Sequence, residues 1–199
     1  MEDDALEIAL AYRAEHQQPL TTAVMGLRSM VKTAGAPVIV AQRLKRMPAI
    51  IGKLARFPQM DLSRMQDIGG CRAILPDQDA VERVGRRIVG NRWQVLRTYD
   101  YVARPKTTGY RAVHLVIEKH GRLVEVQLRT TAQHLWAEAV EQIELRHRYG
   151  LKDDSGPEVL MELLRRSAYA MDRASRGEGM STEFDREFNE LRRRARSLL

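Results

Sequence analysis

The chain has 199 residues, 44% of them hydrophobic and 30% charged, and its 33 basic and 26 acidic side chains leave a formal net charge of +7. Such a composition is that of an ordinary globular protein; it excludes a disordered or collagen-like chain and large multidomain machinery. There is no run of about 18 apolar residues to span a membrane, and the single Cys71 excludes an internal disulfide and a multi-cysteine zinc site.

The opening Met1-Glu2-Asp3-Asp4 is acidic, the wrong sign for a secretory or mitochondrial leader, so a cytoplasmic location is expected. Cys71 heads the apolar run Ala73-Ile74-Leu75 and is expected to be a small buried residue. The charge is uneven. From Arg43 to Arg129 there are 18 basic and 8 acidic residues, a balance of +10, while the remainder carries −3. A cationic middle points to an anionic ligand such as phosphate, nucleotide or nucleic acid, although a solvated arginine-rich surface has the same count.

In chain order, the apolar spacing of Leu6, Ala9 and Leu10, with Arg13, predicts a helix from Asp4 to about Gln17. Pro19 marks a break, and Thr21 or Thr22 can cap a second helix to about Thr33, with Val24, Leu27 and Val31 on one face. Val38-Ile39-Val40 is a short strand, and Met47 to Arg56 a short helix closed by Pro58. Cys71 to Leu75 is a strand. Pro76-Asp77 then starts a helix from Asp79 to about Val89, stopped by Gly90-Asn91.

Trp93 to Tyr99 is a strand, and Arg104 to Gly109 a loop. Arg111 to Lys119, the turn His120-Gly121, and Arg122 to Thr130 form an antiparallel hairpin. Thr131 to about Tyr149 is helical, with Leu135, Ala139, Ile143 and Leu145 among its apolar positions. After a loop at Gly150 and Asp153 to Gly156, Pro157 opens a helix to about Ser175, and a last helix runs from Thr182 to Leu198 with Phe184, Phe188 and Leu191 on one stripe. Its late arginines, Arg192, Arg193, Arg194 and Arg196, suit a helix end and leave an RNA contact open.

The expected fold class is α+β, a small mixed β-sheet flanked by helices, in one domain over 1–199 with a core of about 38–150 and helical extensions at 1–35 and 157–199. No glycine-rich phosphate loop of the Walker or dinucleotide type occurs, so arginine and lysine side chains must hold any phosphates.

Four stretches could carry chemistry. In the first, Arg43, Lys45, Lys53 and Arg56 could converge on a polyphosphate; Lys53 and Arg56 lie one helical turn apart, as they would on any amphipathic surface helix. In the second, Asp67-Ile68-Gly69-Gly70-Cys71-Arg72, a carboxylate stands at the mouth of a strand and the glycines allow close backbone approach. It fits a magnesium-bound phosphate and also a plain turn. In the third, a basic loop with Arg104 and Lys106 leads into a strand where Tyr110 and His114 share a face, suited to stacking on a base, or else a buried tyrosine and a satisfied histidine. The fourth is Val124 to Thr130. There Glu125, Gln127 and Arg129 project to one face and Val124, Val126 and Leu128 to the other, so an acid, an amide and a cation line one surface.

No one of these stretches is specific alone. In this order, Arg43-Leu44-Lys45 with Ala49-Ile50-Ile51-Gly52-Lys53, Asp67 to Arg72, Pro105 to His114 and Glu125 to Thr130 resemble the synthetase domain of the RelA/SpoT family, over about Val38 to Tyr149. The resemblance implies a nucleotidyltransferase-like core and a pyrophosphokinase that moves the β,γ-pyrophosphate of ATP to the 3′-hydroxyl of GDP or GTP, releasing AMP. Position by position, it implies that Arg43 and Arg72 sandwich the adenine and that Lys45, Lys53 and Arg56 hold the ATP phosphates. Asp67 would bind Mg2+. Glu125 would bind the metal or take the proton of the attacking hydroxyl. Lys106, Arg111, His114 and Arg129 would serve acceptor or phosphate, Tyr110 would stack on the acceptor base, and Gln127 and His134 would line the acceptor pocket. Ala49, preceded by Pro48, stands where many relatives have Ser, which leaves the contacts of that helix unassigned.

The resemblance also implies a homo-oligomer assembled through terminal helices. Two other readings stand beside it: a toxin paired with an antitoxin that acts on the tRNA 3′ end or on adenine nucleotides, and a non-catalytic RNA-binding module. Intact Asp67 and Glu125 argue against the last.

Overall fold

A computed structural model of the chain describes residues 2–37, 39–91, 93–151 and 155–199; Met1, Val38 and Asp153, named above, lie outside them. The chain divides into two compact units, Met1–Tyr99 with Val113–Leu128, and Asp100–Ala112 with Arg129–Leu199. Among the described residues, no helix is long and apolar enough to cross a membrane.

The first unit is built on a five-stranded mixed sheet. Its strands are β1 (Ile39–Leu44), β2 (Gly69–Leu75), β3 (Gln94–Asp100), β4 (Val113–Lys119) and β5 (Arg122–Thr130), in the order β1-β2-β5-β4-β3. Strict alternation does the sorting. Cys71, Ala73 and Leu75 of β2 and Val124, Val126 and Leu128 of β5 are buried on one face. There they meet Leu20, Leu27 and Val31 of α2 (Gln17–Thr33) and Val81, Val84 and Ile88 of α4 (Gln78–Gly90). Each fully buried side chain of this size contributes about 1.5–3 kcal/mol of transfer free energy. The opposite face keeps the polar residues. Asp77 caps α4 by accepting from the Ala80 amide at 2.7 Å. The β4–β5 turn puts both His120 (φ 49°) and Gly121 (φ 72°) in the left-handed region, as a tight I′-type hairpin demands.

The remaining helices of this unit are α1 (Glu2–Ala14) and α3 (Met47–Arg56). Ile50 of α3 is buried against Met65 and Ile68, which pins the segment leading into β2.

Two local expectations are corrected here. Pro19 does not break the chain: α2 starts at Gln17, and Pro19 sits in its first turn, where a missing N–H is harmless. Thr21 and Thr22 are therefore inside the helix and bond back to the carbonyls of Gln17 and Gln18 rather than capping it. In addition, β4 begins at Val113, so Tyr110 precedes the strand and the shared face expected for Tyr110 and His114 does not form.

The second unit holds the 100–112 segment and three helices, α5 (Thr131–His147), α6 (Glu158–Ser175) and α7 (Thr182–Ala195). α5 opens with a capping box between Thr130 and Gln133. Its buried stripe is Trp136 and Val140, packed on Leu160, Met161, Leu164 and Ala168 of α6, whereas Leu135 and Leu145 are exposed. The indole decides this rotation: Trp136 Nε1 donates to Leu164 O at 3.2 Å and to Ser167 Oγ at 3.0 Å, which only an inward Trp136 can do. On α7 the expected stripe forms, with Leu191 buried against Leu163 and the Phe184 and Phe188 rings stacked 5.8 Å apart.

Candidate active site

Within the first unit, the polar face of the sheet gathers the residues expected from the sequence. β1 and β2 pair antiparallel with Arg43 opposite Gly70 and Ala41 opposite Arg72. Arg43 and Arg72 thus lie on one face as diagonal neighbours, a backbone spacing of about 7–8 Å.

A Cβ at Gly69 would lie 3.6 Å from His16 Cβ, and one at Gly70 would lie 3.9 Å from Glu125 O, both ordinary contacts with the protein itself. What the absent side chain at Gly70 provides is bare sheet surface beside Glu125.

β4 pairs with β5 so that His114 faces Gln127 and Val116 faces Glu125. His114, diagonal to Glu125, donates from Nδ1 to Glu125 Oε1 at 2.9 Å, and Gln127 Nε2 donates to Oε2 at 2.6 Å. Burial pushes the Glu125 carboxyl upward and the charge of Asp67 pushes it the same way. The bonds from His114 and Gln127 and the attraction of His114 outweigh both, holding it below the ordinary 4.5. Glu125 is therefore ionised at neutral pH.

Asp67 precedes β2. Its Oδ2 accepts from Lys45 Nζ and its Oδ1 from Lys53 Nζ, each at 2.7 Å. Burial raises its proton affinity, but the two ammonium groups win and keep it below 3.8. The same environment inverts the chemistry of Cys71, whose thiol is pushed up to about 12 by burial and by the charge of Glu125, so it stays protonated and inert. The Arg56 guanidinium of α3 stands 5.7 Å from the Phe57 ring centroid.

Among the described residues, no cluster of three or more His, Cys, Asp and Glu side chains could hold a metal ion. Asp67 and Glu125 are nonetheless both ionised carboxylates, and Mg2+ takes one or two protein carboxylates and draws its other ligands from phosphate and water.

The second unit assembles its own group. Arg129 Nη2 donates to Tyr110 Oη at 2.7 Å, and its guanidinium lies 5.1 Å from that ring's centroid. Lys106 Nζ lies 4.8 Å from the Tyr101 ring and 5.4 Å from the Tyr110 ring. Tyr110 also meets Tyr101 edge-on at 5.9 Å and tilts against Trp136 at 6.5 Å. Arg111 faces Asp172 of α6 at 3.5 Å, and His134 Nε2 faces Glu138 at 3.3 Å.

Sequence reasoning missed Arg13 of α1, whose Nε donates to Lys45 O at 2.7 Å and so fixes the backbone that carries Lys45. Helical spacing grouped Arg13 with the apolar stripe, and no local pattern links it to a carbonyl 32 residues away.

Comparison with known proteins identifies the family and the fold. The family model described as a region found in RelA / SpoT proteins matches residues 42–151. The GTP pyrophosphokinase YjbM of Bacillus subtilis is 30% identical over 152 residues, covering 69% of this chain and 72% of the relative. The bifunctional (p)ppGpp synthase/hydrolase SpoT of Escherichia coli is 32% identical over 134 residues, 66% of this chain and 19% of the relative. The crystal structure of the small alarmone synthetase 1 from Bacillus subtilis bound to its product pppGpp is matched with a TM-score of 0.69 at 28% identity, covering 86% of this chain and 93% of that one. The matched span 42–151 contains every residue assigned above from Arg43 to His134 and excludes α1, α2, α6 and α7.

Proposed function

This chain belongs to the RelA/SpoT family and is an enzyme of its pyrophosphokinase type; we propose that it transfers the β,γ-pyrophosphate of ATP to the 3′-hydroxyl of GDP or GTP. The bond from the acceptor O3′ to the β-phosphorus forms, the bond from that phosphorus to the α,β-bridging oxygen breaks, and AMP leaves. The hydroxyl proton passes to Glu125.

One observation carries the reading: an ionised, largely buried Glu125, held at both oxygens, shares a sheet face with the Arg43 and Arg72 pair and feels the charge of Asp67. A carboxylate of lowered proton affinity is a weak base. It suffices for phosphoryl-type transfer, where the acceptor hydroxyl sheds its proton late and catalysis is mostly positioning and charge neutralisation. Lys45 and Lys53, now on Asp67, are the cations within reach of incoming ATP phosphates, and Arg43 and Arg72 are spaced for the adenine. Asp67 and Glu125 are the groups that would hold Mg2+, which when bound supplies neutralisation of the polyphosphate charge. Tyr110 is assigned to the acceptor base, Lys106, Arg111 and Arg129 to its phosphates, and His134 to the lining of its pocket. His114 and Gln127 act on the acceptor by orienting Glu125.

The experiment is incubation of the purified protein with ATP labelled in the γ-phosphate, Mg2+, and GDP, GTP, ATP or tRNA in turn, followed by chromatography. Label on GDP or GTP with matching release of AMP is expected. Label found only on tRNA, in a reaction that collapses steeply with salt because several backbone phosphates are contacted, overturns the nucleotide acceptor. No label moved to any acceptor overturns the transfer.

A further inference from the structure

We propose that α6 is the clamp that sets the 104–112 loop, and that Asp172 is a positioning residue for the acceptor, a role that rests on the assignment of Tyr110 to the acceptor base. The two residues flanking Tyr110 both dock on α6. Gly109 has φ +92°, and a Cβ there would lie 2.8 Å from Ala168 Cβ and 3.1 Å from Arg165 Cα. The loop backbone is thus seated directly on the helix, in a conformation that glycine alone adopts without strain. On the other side of Tyr110, Arg111 points to Asp172 Oδ1 at 3.5 Å, with both side chains mostly buried. Among the described residues, the buried Arg111 Nε makes no hydrogen bond. Asp172 is the carboxylate that faces it.

Asp172 is itself held, because Arg176 Nη2 lies 3.0 Å from its Oδ2. Its carboxylate is therefore fixed from behind and presented to Arg111. Packing and charge share the restraint: Gly109 rests on Ala168 and Arg165 and the Tyr110 ring packs with the cluster around Trp136 and Leu164, while Arg111 and Asp172 face each other at an open cleft that Trp136 and Met171 also line. Inside the loop, Gly109 N donates to Lys106 O at 2.8 Å and Lys106 N to Tyr110 O at 3.2 Å. These bonds pass the position of the docked residues on to Tyr110. α6 lies beyond the matched span 42–151, so no family motif assigns it this part.

The test compares the wild type with Asp172→Asn and Asp172→Glu by amide hydrogen exchange and by steady-state kinetics. In Asp172→Asn, exchange at the Lys106 and Gly109 amides is expected to rise about tenfold, the worth of one charge-assisted contact, while amides of β2 and β5 are unchanged. KM for the guanine nucleotide should rise by about the same factor, with KM for ATP and kcat within about twofold. Asp172→Glu should recover most of both effects. Unchanged loop exchange in Asp172→Asn overturns the clamp, and equal rises in the two KM values overturn the positioning role. A wild type that pyrophosphorylates no acceptor removes the reading of Tyr110, and the exchange result then decides the clamp alone.

Discussion

His114 and Glu125 meet across two antiparallel strands, Nδ1 to Oε1 at 2.9 Å, at positions 11 residues apart in the chain. The acceptor of that bond is an ionised carboxylate, so Nδ1 is the donor. Glu125 is thereby held at a fixed angle on the open face of the sheet, with Gln127 on its second oxygen. In the proposed transfer, a base confined in this way meets the acceptor hydroxyl from one direction.

Glu125→Gln keeps the volume of the side chain but removes its charge and turns one acceptor into a donor that confronts Gln127 or His114. Turnover is expected to fall at least about 100-fold, the lower end of what a positioned base contributes. The circular dichroism spectrum should stay that of the wild type. Near-normal turnover in a folded mutant would remove Glu125 from the chemistry.

His114→Ala tests the orienting bond through pH. Burial and the Asp67 charge push Glu125 up, and His114 is first among the groups that pull it down. Without the imidazole, the proton affinity of Glu125 rises, so the acidic limb of the kcat profile should move to higher pH, with kcat at neutral pH lower by about tenfold. An acidic limb that stays in place shows that Glu125 does not depend on His114.

Both carboxylates titrate below their ordinary values of 3.8 for Asp67 and 4.5 for Glu125. A depressed folded pKa contributes stability that is present above the unfolded value and lost as the pH falls through the folded one. The urea midpoint should therefore be flat for this contribution from neutral pH down to the ordinary carboxylate range, and should drop below it. Lys45→Met removes one of the two ammonium groups on Asp67 and should destabilise the fold at pH 7 by about 1.5–3 kcal/mol, as for the loss of a charged hydrogen bond. That deficit should shrink once Asp67 is protonated. A deficit independent of pH would mean that the methionine acts through packing.

Gly109→Ala places a methyl 2.8 Å from Ala168 Cβ at a backbone angle of +92°. The strained angle alone costs about 1–2 kcal/mol, and the contact adds to it. The protein should unfold at a lower temperature and lose acceptor turnover more than its ATP affinity, measured by calorimetry and nucleotide titration. A variant with wild-type stability would show that the loop shifts off α6 without penalty.

Much of the site was legible because strand alternation is local. In Val124 to Thr130, the period of two separates Glu125 and Gln127 from Val124, Val126 and Leu128 with no knowledge of a partner strand, and the structure keeps that division. The hairpin turn was legible for the same reason, since His120-Gly121 suits the required angles. The rotation of α5 was not: Leu135 and Trp136 are both apolar neighbours, and only the acceptors on α6 choose between them.

By itself, the order of residues determined the family motifs, the cationic middle of the chain and which side chains share a strand face, because these depend on composition and on a backbone geometry that repeats every two residues. Tertiary structure alone decided that Lys45 and Lys53 converge on Asp67, that Arg13 braces Lys45, that Tyr110 sits before β4 rather than on it, and that Asp172 meets Arg111. Those contacts join residues brought together by sheet register and helix packing, and a contact across such distances depends on where the whole core settles rather than on any neighbour in the chain.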